Sequence, residues 1–265
     1  MYNPFVLGLK YLRYLITAQN GNGHGIHSPF VYDFITQVLN DNGQYYCYGN
    51  LEAKRASLLK DKNEIEVQDL GAGSRKGTAA KRVIEDIARN ALKPAKYSQL
   101  LFRMANYFKC QTILELGTSL GITTGNLANA SNSAKVVTCE GVPAIATLAR
   151  QQFSQLGLDN IVLIEGNFDQ TLEKALQLLP KVDMAYIDGN HRFAPTLAYF
   201  NQIFPTLHND SILIFDDIHW SAEMEKAWED IKADGRVKLS IDLFFIGVVF
   251  FKQEFKVKQD FVIRF

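Results

Sequence analysis

A chain of 265 residues that is 47% hydrophobic and 21% charged has the apolar material for a sizeable core, which excludes wholesale disorder. Lysine plus arginine equals aspartate plus glutamate at 28 each, so the basic excess that usually accompanies nucleic-acid binding is absent. Three cysteines, Cys47, Cys110 and Cys139, are odd in number and far apart, which excludes a disulfide framework or a zinc spacing; Cys110 and Cys139 adjoin apolar runs and read as buried thiols.

Residues 5–18 carry Phe5, Leu9, Leu12 and Ile16 at helical spacing, a surface helix packed on the body. Lys10 and Arg13 interrupt the apolar run and no small-residue cleavage site follows. Neither a leader peptide nor a membrane span is therefore expected, and a cytoplasmic location follows by default. Attachment to a membrane surface through the two cations is the lesser reading. Residues 21–30 form a loop by composition, and Ser28-Pro29 is a helix start, with serine as cap and proline at the first helical position. Charged helical sequence follows from Leu51 to Lys62. Residues 1–92 are thus expected to be a helical extension and residues 93–265 the principal domain.

From about Ala95, short apolar runs alternate with helical stretches. The predicted strands are Thr112–Leu116, Lys135–Cys139, Ile161–Glu165, Met184–Ile187 and Ser211–Phe215. Helices are predicted over 122–130, 142–156, 169–179, 194–204 and 221–233. This alternation predicts a doubly wound, mostly parallel α/β sheet with helices on both faces. Val237–Leu243 and Gly247–Phe251 are too closely linked for a parallel crossover, so they predict an antiparallel C-terminal hairpin.

Two segments look like nucleotide-binding turns: Val67-Gln-Asp-Leu-Gly-Ala-Gly-Ser-Arg-Lys-Gly77 and Ile113-Leu-Glu-Leu-Gly-Thr-Ser-Leu-Gly121. Such a turn works between a strand and a helix, with a second strand ending in an acid about 20 residues on that takes the ribose hydroxyls. After Gly77 comes a charged helical stretch and no such strand, so the Gly71–Gly73 loop reads as structural or as a flap. Gly117 is followed by helix 122–130, strand 135–139 and then Glu140, 23 positions on. Ser119 stands where a dinucleotide site wants its second glycine, which disfavours a pyrophosphate and favours a nucleoside carrying an amino acid.

These residues, together with Tyr186-Ile-Asp-Gly-Asn-His191, resemble the motifs of class I S-adenosylmethionine-dependent methyltransferases, and most nearly the catechol O-methyltransferase-like, metal-dependent O-methyltransferases. The resemblance covers roughly residues 93–251. It implies a Rossmann-like, seven-stranded sheet with the hairpin at one edge. It also implies a cofactor site made of Glu115, Gly117, Thr118, Ser119 and Gly121, of Glu140 with Gly141 at the ribose, of Gly166 and Asn167 beside the adenine, and of Asp188. Lys96-Tyr-Ser-Gln99 lies where that family has a helix start covering the cofactor, and homodimers are common in the group.

Ligands of an open parallel sheet bind beyond the carboxyl ends of its strands. Asp188, Asp216 and Asp217 are therefore expected to converge, and a bound Mg²⁺ or similar hard divalent cation relieves their mutual repulsion. The resembled family has asparagine where this chain has Asp217, and a lysine base where it has His191. Histidine titrates near neutrality, so His191 is the expected proton acceptor beside Asp188, with His219 a second candidate. The expected reaction is methyl transfer to a hydroxyl of a small molecule, deprotonated with help from the cation. Metal-independent transfer to an amine or carboxyl, with Asp188 binding only the cofactor's amino group, stays open, as does a non-catalytic Rossmann-like binding module. Asp217 capping the next helix is a further reading, although Ser221 is the better cap. Base methylation of nucleic acid is disfavoured, because Asp-Gly-Asn-His stands where those enzymes carry an Asn/Asp-Pro-Pro-aromatic motif. Tyr45, Tyr46, Tyr48, Phe193 and Trp220 line the acceptor pocket or fill the core.

Overall fold

The computed structural model describes residues 1–67 and 80–265. The elements run in the order α1 (Pro4–Thr17), α2 (Pro29–Phe34), α3 (Tyr48–Leu58), β1 (Glu64–Val67), β2 (Ala80–Val83), α4 (Ile84–Ala91), α5 (Ala95–Tyr107), β3 (Thr112–Leu116), α6 (Ile122–Asn129), β4 (Lys135–Glu140), α7 (Pro143–Gln155), β5 (Ile161–Glu165), α8 (Phe168–Leu178), β6 (Val182–Ile187), α9 (Phe193–Ile203), β7 (Leu207–Asp216), α10 (Ala222–Ala233), β8 (Leu239–Asp242), β9 (Ile246–Phe250) and β10 (Gln259–Val262). The alternation of strand and helix expected from Ala95 onward is present element for element. The main sheet has eight strands among the described residues, not the expected seven. The addition is β10, which lies parallel to β8 with Gln259 opposite Leu239. Its four residues alternate half-buried and exposed, as on a sheet edge, and follow a lysine-rich stretch that hides the strand pattern.

The chain divides into two compact units, residues 1–41 with 180–265, and residues 42–179. In the unit of 42–179, β3, β4 and β5 are parallel neighbours, with Leu114 opposite Val137 and Val137 opposite Val162. Residues 113–116 and 136–140 are buried throughout, as in strands covered on both faces, and enclose the polar Glu115, Thr138 and Glu140. The same unit corrects the purely helical picture of residues 1–92, since β1 and β2 form an antiparallel pair running from Glu64 opposite Val83 to Val67 opposite Ala80. The charges of Glu64, Glu66, Lys81 and Arg82 mask its two-residue period. Leu58, Val67, Ile84, Ile87 and Ala88 bury themselves against Leu120 and Ile122, so this early segment packs on the turn that follows β3. The Gly71–Gly73 loop lies outside the described residues.

In the other unit, β6 and β7 are parallel, with Ile187 opposite Phe215, while β9 runs antiparallel to both β7 and β8. The expected C-terminal hairpin is therefore present as β8 and β9. Helix α10 opens at Ser221, whose hydroxyl accepts a bond from the Met224 amide at 3.2 Å, the cap that the sequence suggests. Helix α1 packs Tyr14 and Ala18, with Leu7, Tyr11 and Leu15 at their edge, against Phe244 and Phe245. No helix among the described residues is long and apolar enough to cross a membrane.

Candidate functional site

In the unit of residues 42–179, the turn after β3 is left-handed at three places: Gly117 has φ of 107°, Ser119 of 48° and Gly121 of 81°. Gly121 leads directly into α6, and a Cβ there would lie 2.6 Å from the Phe153 ring, so both conformation and space demand glycine. The Gly117 amide donates to the Cys139 carbonyl at 3.0 Å, and the Gly166 amide to the Glu140 carbonyl at 2.9 Å. These bonds tie the turns after β3, β4 and β5 together at the carboxyl ends of their strands.

Glu140 is the hub of this region. One carboxylate oxygen accepts from the Ser119 amide at 2.8 Å and the other from the Val142 amide at 2.9 Å. Burial pushes its pKa up, against the opposing pull of the amides of Val142, Ser119 and Gly141. Glu115 is fully buried, and its carboxylate accepts from the hydroxyls of Thr124 at 2.5 Å and Thr138 at 2.7 Å. Thr118 joins this cluster through a 2.6 Å bond between its hydroxyl and that of Thr138. Asn167 caps α8, its side chain accepting from the Asp169 amide at 3.0 Å. Lys96 opens α5, and burial lowers its pKa with help from the nearby Arg103 charge. Cys47 and Cys139 are buried with pKa values pushed up by burial to about 11, so both are held as neutral thiols.

In the other unit, Asp188, His191 and Asp216 meet at the ends of β6 and β7. One potential ligand atom from each lies within 4.8 Å of the others. His191 Nε2 is 3.5 Å from Asp188 Oδ1, and the Tyr186 hydroxyl donates to Asp188 Oδ2 at 3.1 Å. Tyr186 is a partner that the motif reading passed over, although residues two apart on a strand share a face. Asp216 is buried, with 1% of its surface exposed, at the last position of β7. Asp217 does not join this three-residue cluster. Its backbone, at φ of 53°, accepts from the Trp220 amide and donates to the Phe245 carbonyl, closing a tight turn. Two carboxylates and an imidazole are a workable donor set for a divalent cation.

His219 has a different setting. Nδ1 lies 3.0 Å from Glu225 Oε1 and Nε2 lies 2.9 Å from Asp242 Oδ2, with the ring stacked on Phe244. Glu225 is also held by the Tyr2 hydroxyl and by Lys10. With both nitrogens bonded to carboxylates, His219 is committed to this network and is poorly placed to exchange a proton with substrate. Burial favours its neutral form, but the two carboxylates outweigh it and the pKa is raised. A raised folded-state pKa means that its stabilisation is fully present below the unfolded value and fades as pH rises through the folded value. Glu225, whose pKa is lowered, loses its own contribution as pH falls through that lowered value. Urea titrations of a His219→Gln variant against wild type should thus show a deficit of about 1–3 kcal/mol near pH 6. That deficit should shrink at alkaline pH, and one independent of pH would remove the charged histidine from the account.

Residues 114–218 match the family model of a methyltransferase domain. A protein of Acanthamoeba polyphaga mimivirus, R132, is 24% identical over 149 residues, which cover 51% of this chain and 66% of that protein, just under two thirds of its length. Among solved structures, the SAH-bound methyltransferase PaMTH1 of Podospora anserina is similar with a TM-score of 0.60 and 16% identity over 85% of this chain and 97% of its own. An O-methyltransferase of Bacillus cereus in complex with SAH gives a TM-score of 0.56 and 18% identity over 83% and 97%. At such identities the structural likeness speaks for the fold, and the matched family model speaks for the domain. Residues 114–218 thus resemble a methyltransferase domain in sequence, and the chain shares the fold of solved methyltransferases.

Proposed function

We propose that this protein transfers a methyl group from S-adenosylmethionine to a hydroxyl of a small molecule, with a divalent cation at the acidic cluster. The observation that carries the cofactor half is Glu140, a buried acid at the end of β4 that two backbone amides hold in place. In this reading Glu140 takes the ribose hydroxyls, Gly117 through Gly121 border the methionine part, and Gly166 and Asn167 border the adenine. Glu115 keeps that loop rigid through Thr124 and Thr138.

The cluster of Asp188, His191 and Asp216 carries the second half. Asp188 and Asp216 are the cation ligands, with Asp217 the third that the sequence suggests. A bound cation lowers the pKa of a coordinated hydroxyl. His191 would accept the hydroxyl proton, with Asp188 Oδ1 3.5 Å from its Nε2 orienting the imidazole. S-adenosylmethionine, when bound, would supply the methyl group, and holding the two reactants together would account for most of the acceleration.

The test is calorimetric titration of S-adenosylmethionine into wild type and a Glu140→Ala variant. Micromolar binding to wild type is expected, roughly ten- to a hundredfold weaker in the variant, the worth of charge-assisted bonds. Folded wild type that takes up no cofactor sinks the proposal.

A further inference from the structure

In the unit of residues 1–41 and 180–265, three non-glycine residues with left-handed backbone gather at one end of the sheet. Asn190 follows β6 with φ of 65°, Asp217 follows β7 with 53°, and Phe244 joins β8 to β9 with 69°. The register sets Ile187 beside Phe215 and Asp216 beside Ile246, so these turns are neighbours. Asparagine and aspartate visit that backbone region, but a phenylalanine there is an outlier. Such a conformation persists only where its surroundings over-determine it.

The surroundings here include α1. The Asp217 amide donates to the Phe245 carbonyl at 2.7 Å, and the His219 and Phe244 rings stack with centroids 5.0 Å apart, so the last two turns hold each other. The chain around α1 then reaches both. The Tyr11 ring meets Phe244 at 5.0 Å. The Tyr2 amide donates at 2.9 Å to the carbonyl of Trp220, the residue whose own amide closes the Asp217 turn. Glu225 gathers the rest: the Tyr2 hydroxyl donates to it at 2.7 Å, the Lys10 ammonium at 2.9 Å, and His219 Nδ1 lies at 3.0 Å.

We infer that the start of α1 is a clasp on the turn after β7, and that Tyr2 and Lys10 are positioning residues which, through Glu225 and His219, fix where Asp216 presents its carboxylate. Packing alone does not account for them. Helix α1 is already seated by Tyr14 and Ala18 against Phe244, and an ion pair whose partners are 35% and 24% exposed adds little to stability. Its effect lies in where it acts. Asp216 ends β7, directly before the left-handed Asp217, and belongs to the cluster with Asp188 and His191. Relaxation of Asp217 toward the ordinary backbone region redirects the chain at that point and moves the carboxylate. Groups standing behind a metal ligand commonly change cation affinity by roughly ten- to a hundredfold. The cation part of this inference rests on the function proposed above; the clasp does not.

The test uses the full chain and two variants. Tyr2→Phe/Lys10→Met removes the α1 side and leaves Glu225 with His219, whereas Glu225→Ala removes the shared acceptor. Hydrogen exchange followed by mass spectrometry should be about tenfold faster over residues 216–221 in both, with Ile246–Phe250 of β9 exchanging as in wild type. Calorimetric titration with Mn²⁺ alone should show binding about tenfold weaker in both. Unchanged exchange in both variants would overturn the clasp. Faster exchange in Glu225→Ala alone would assign the role to α10 and overturn the part given to α1. Faster exchange with unchanged Mn²⁺ affinity, or faster exchange across the whole sheet, would make these bonds a matter of stability and overturn the positioning role. Wild type that binds no Mn²⁺ would remove the cation from the function proposed above, and with it the link to Asp216, while the exchange measurement still decides the clasp.

Discussion

An Asp188→Ala variant is expected to lose divalent-cation binding and to turn over an accepted hydroxyl substrate about 10²- to 10³-fold more slowly, while remaining folded. The side chain lies at the turn after β6, partly exposed, so its removal leaves no apolar cavity. What is lost is charge at one place. The Tyr186 hydroxyl loses its acceptor, His191 loses the carboxylate 3.5 Å from its Nε2, and buried Asp216 loses a neighbour with which to share a cation. An Asp188→Asn variant keeps size and an acceptor for Tyr186 but not the charge, and should be nearly as impaired. Calorimetric titration with Mn²⁺ and a methyl-transfer assay in the presence and absence of chelator read the two effects separately. Activity that survives both chelation and the substitution would remove the cation from the reaction and favour transfer to an amine or carboxyl.

Local rules reach far in this chain where each signal is repeated. Thr112–Leu116 and Ile161–Glu165 are strands with the bounds that their β-branched and aliphatic runs predict, the first buried from Ile113 to Leu116 and the second a partly exposed edge strand whose apolar run is unbroken up to Glu165. The turn after β3 is legible for a similar reason, since glycine, strand, helix and acid each constrain the others. Legibility fails where the signal is short or charged. The β1–β2 pair alternates, but its outward residues are ionised and mimic a helical surface. Residues 35–39 continue α2 as a π turn, a register shift that no propensity encodes. Side-chain partnership fails most. The Thr124 and Thr138 hydroxyls on Glu115, or Glu225 and Asp242 on His219, depend on which elements become neighbours, and a linear reading has no access to that. His219 illustrates the consequence, because a histidine three residues past an acidic strand end looks catalytic until its two carboxylate partners are seen.

The largest expected loss of stability follows from Trp228→Ala. Trp228 lies on α10 with 1% of its surface exposed, and its ring fills the space left by Gly247, where a Cβ would stand 2.7 Å from the indole. It also meets the Phe215 ring at 6.3 Å between centroids, one residue before Asp216. Truncation to alanine should cost about 3–5 kcal/mol, because β9 cannot move in to close the cavity without breaking its register with β7 and β8. For a protein of this size that lowers the melting temperature by about 6–20 °C. The indole N–H donates to Asp242 Oδ2 at 3.2 Å, the same oxygen that meets His219 Nε2. A Trp228→Phe variant therefore isolates that bond, with an expected cost of roughly 1–2 kcal/mol and little cavity. Calorimetric melts of both variants test the account, and an alanine variant less than about 1 kcal/mol below wild type would refute it. If the alanine variant also binds Mn²⁺ more weakly at temperatures where it is folded, the Trp228 ring sets the position of Asp216 through Phe215. If its metal affinity is unchanged, that packing secures the fold, and the turn closed by Asp217 and Trp220 holds the ligands in place.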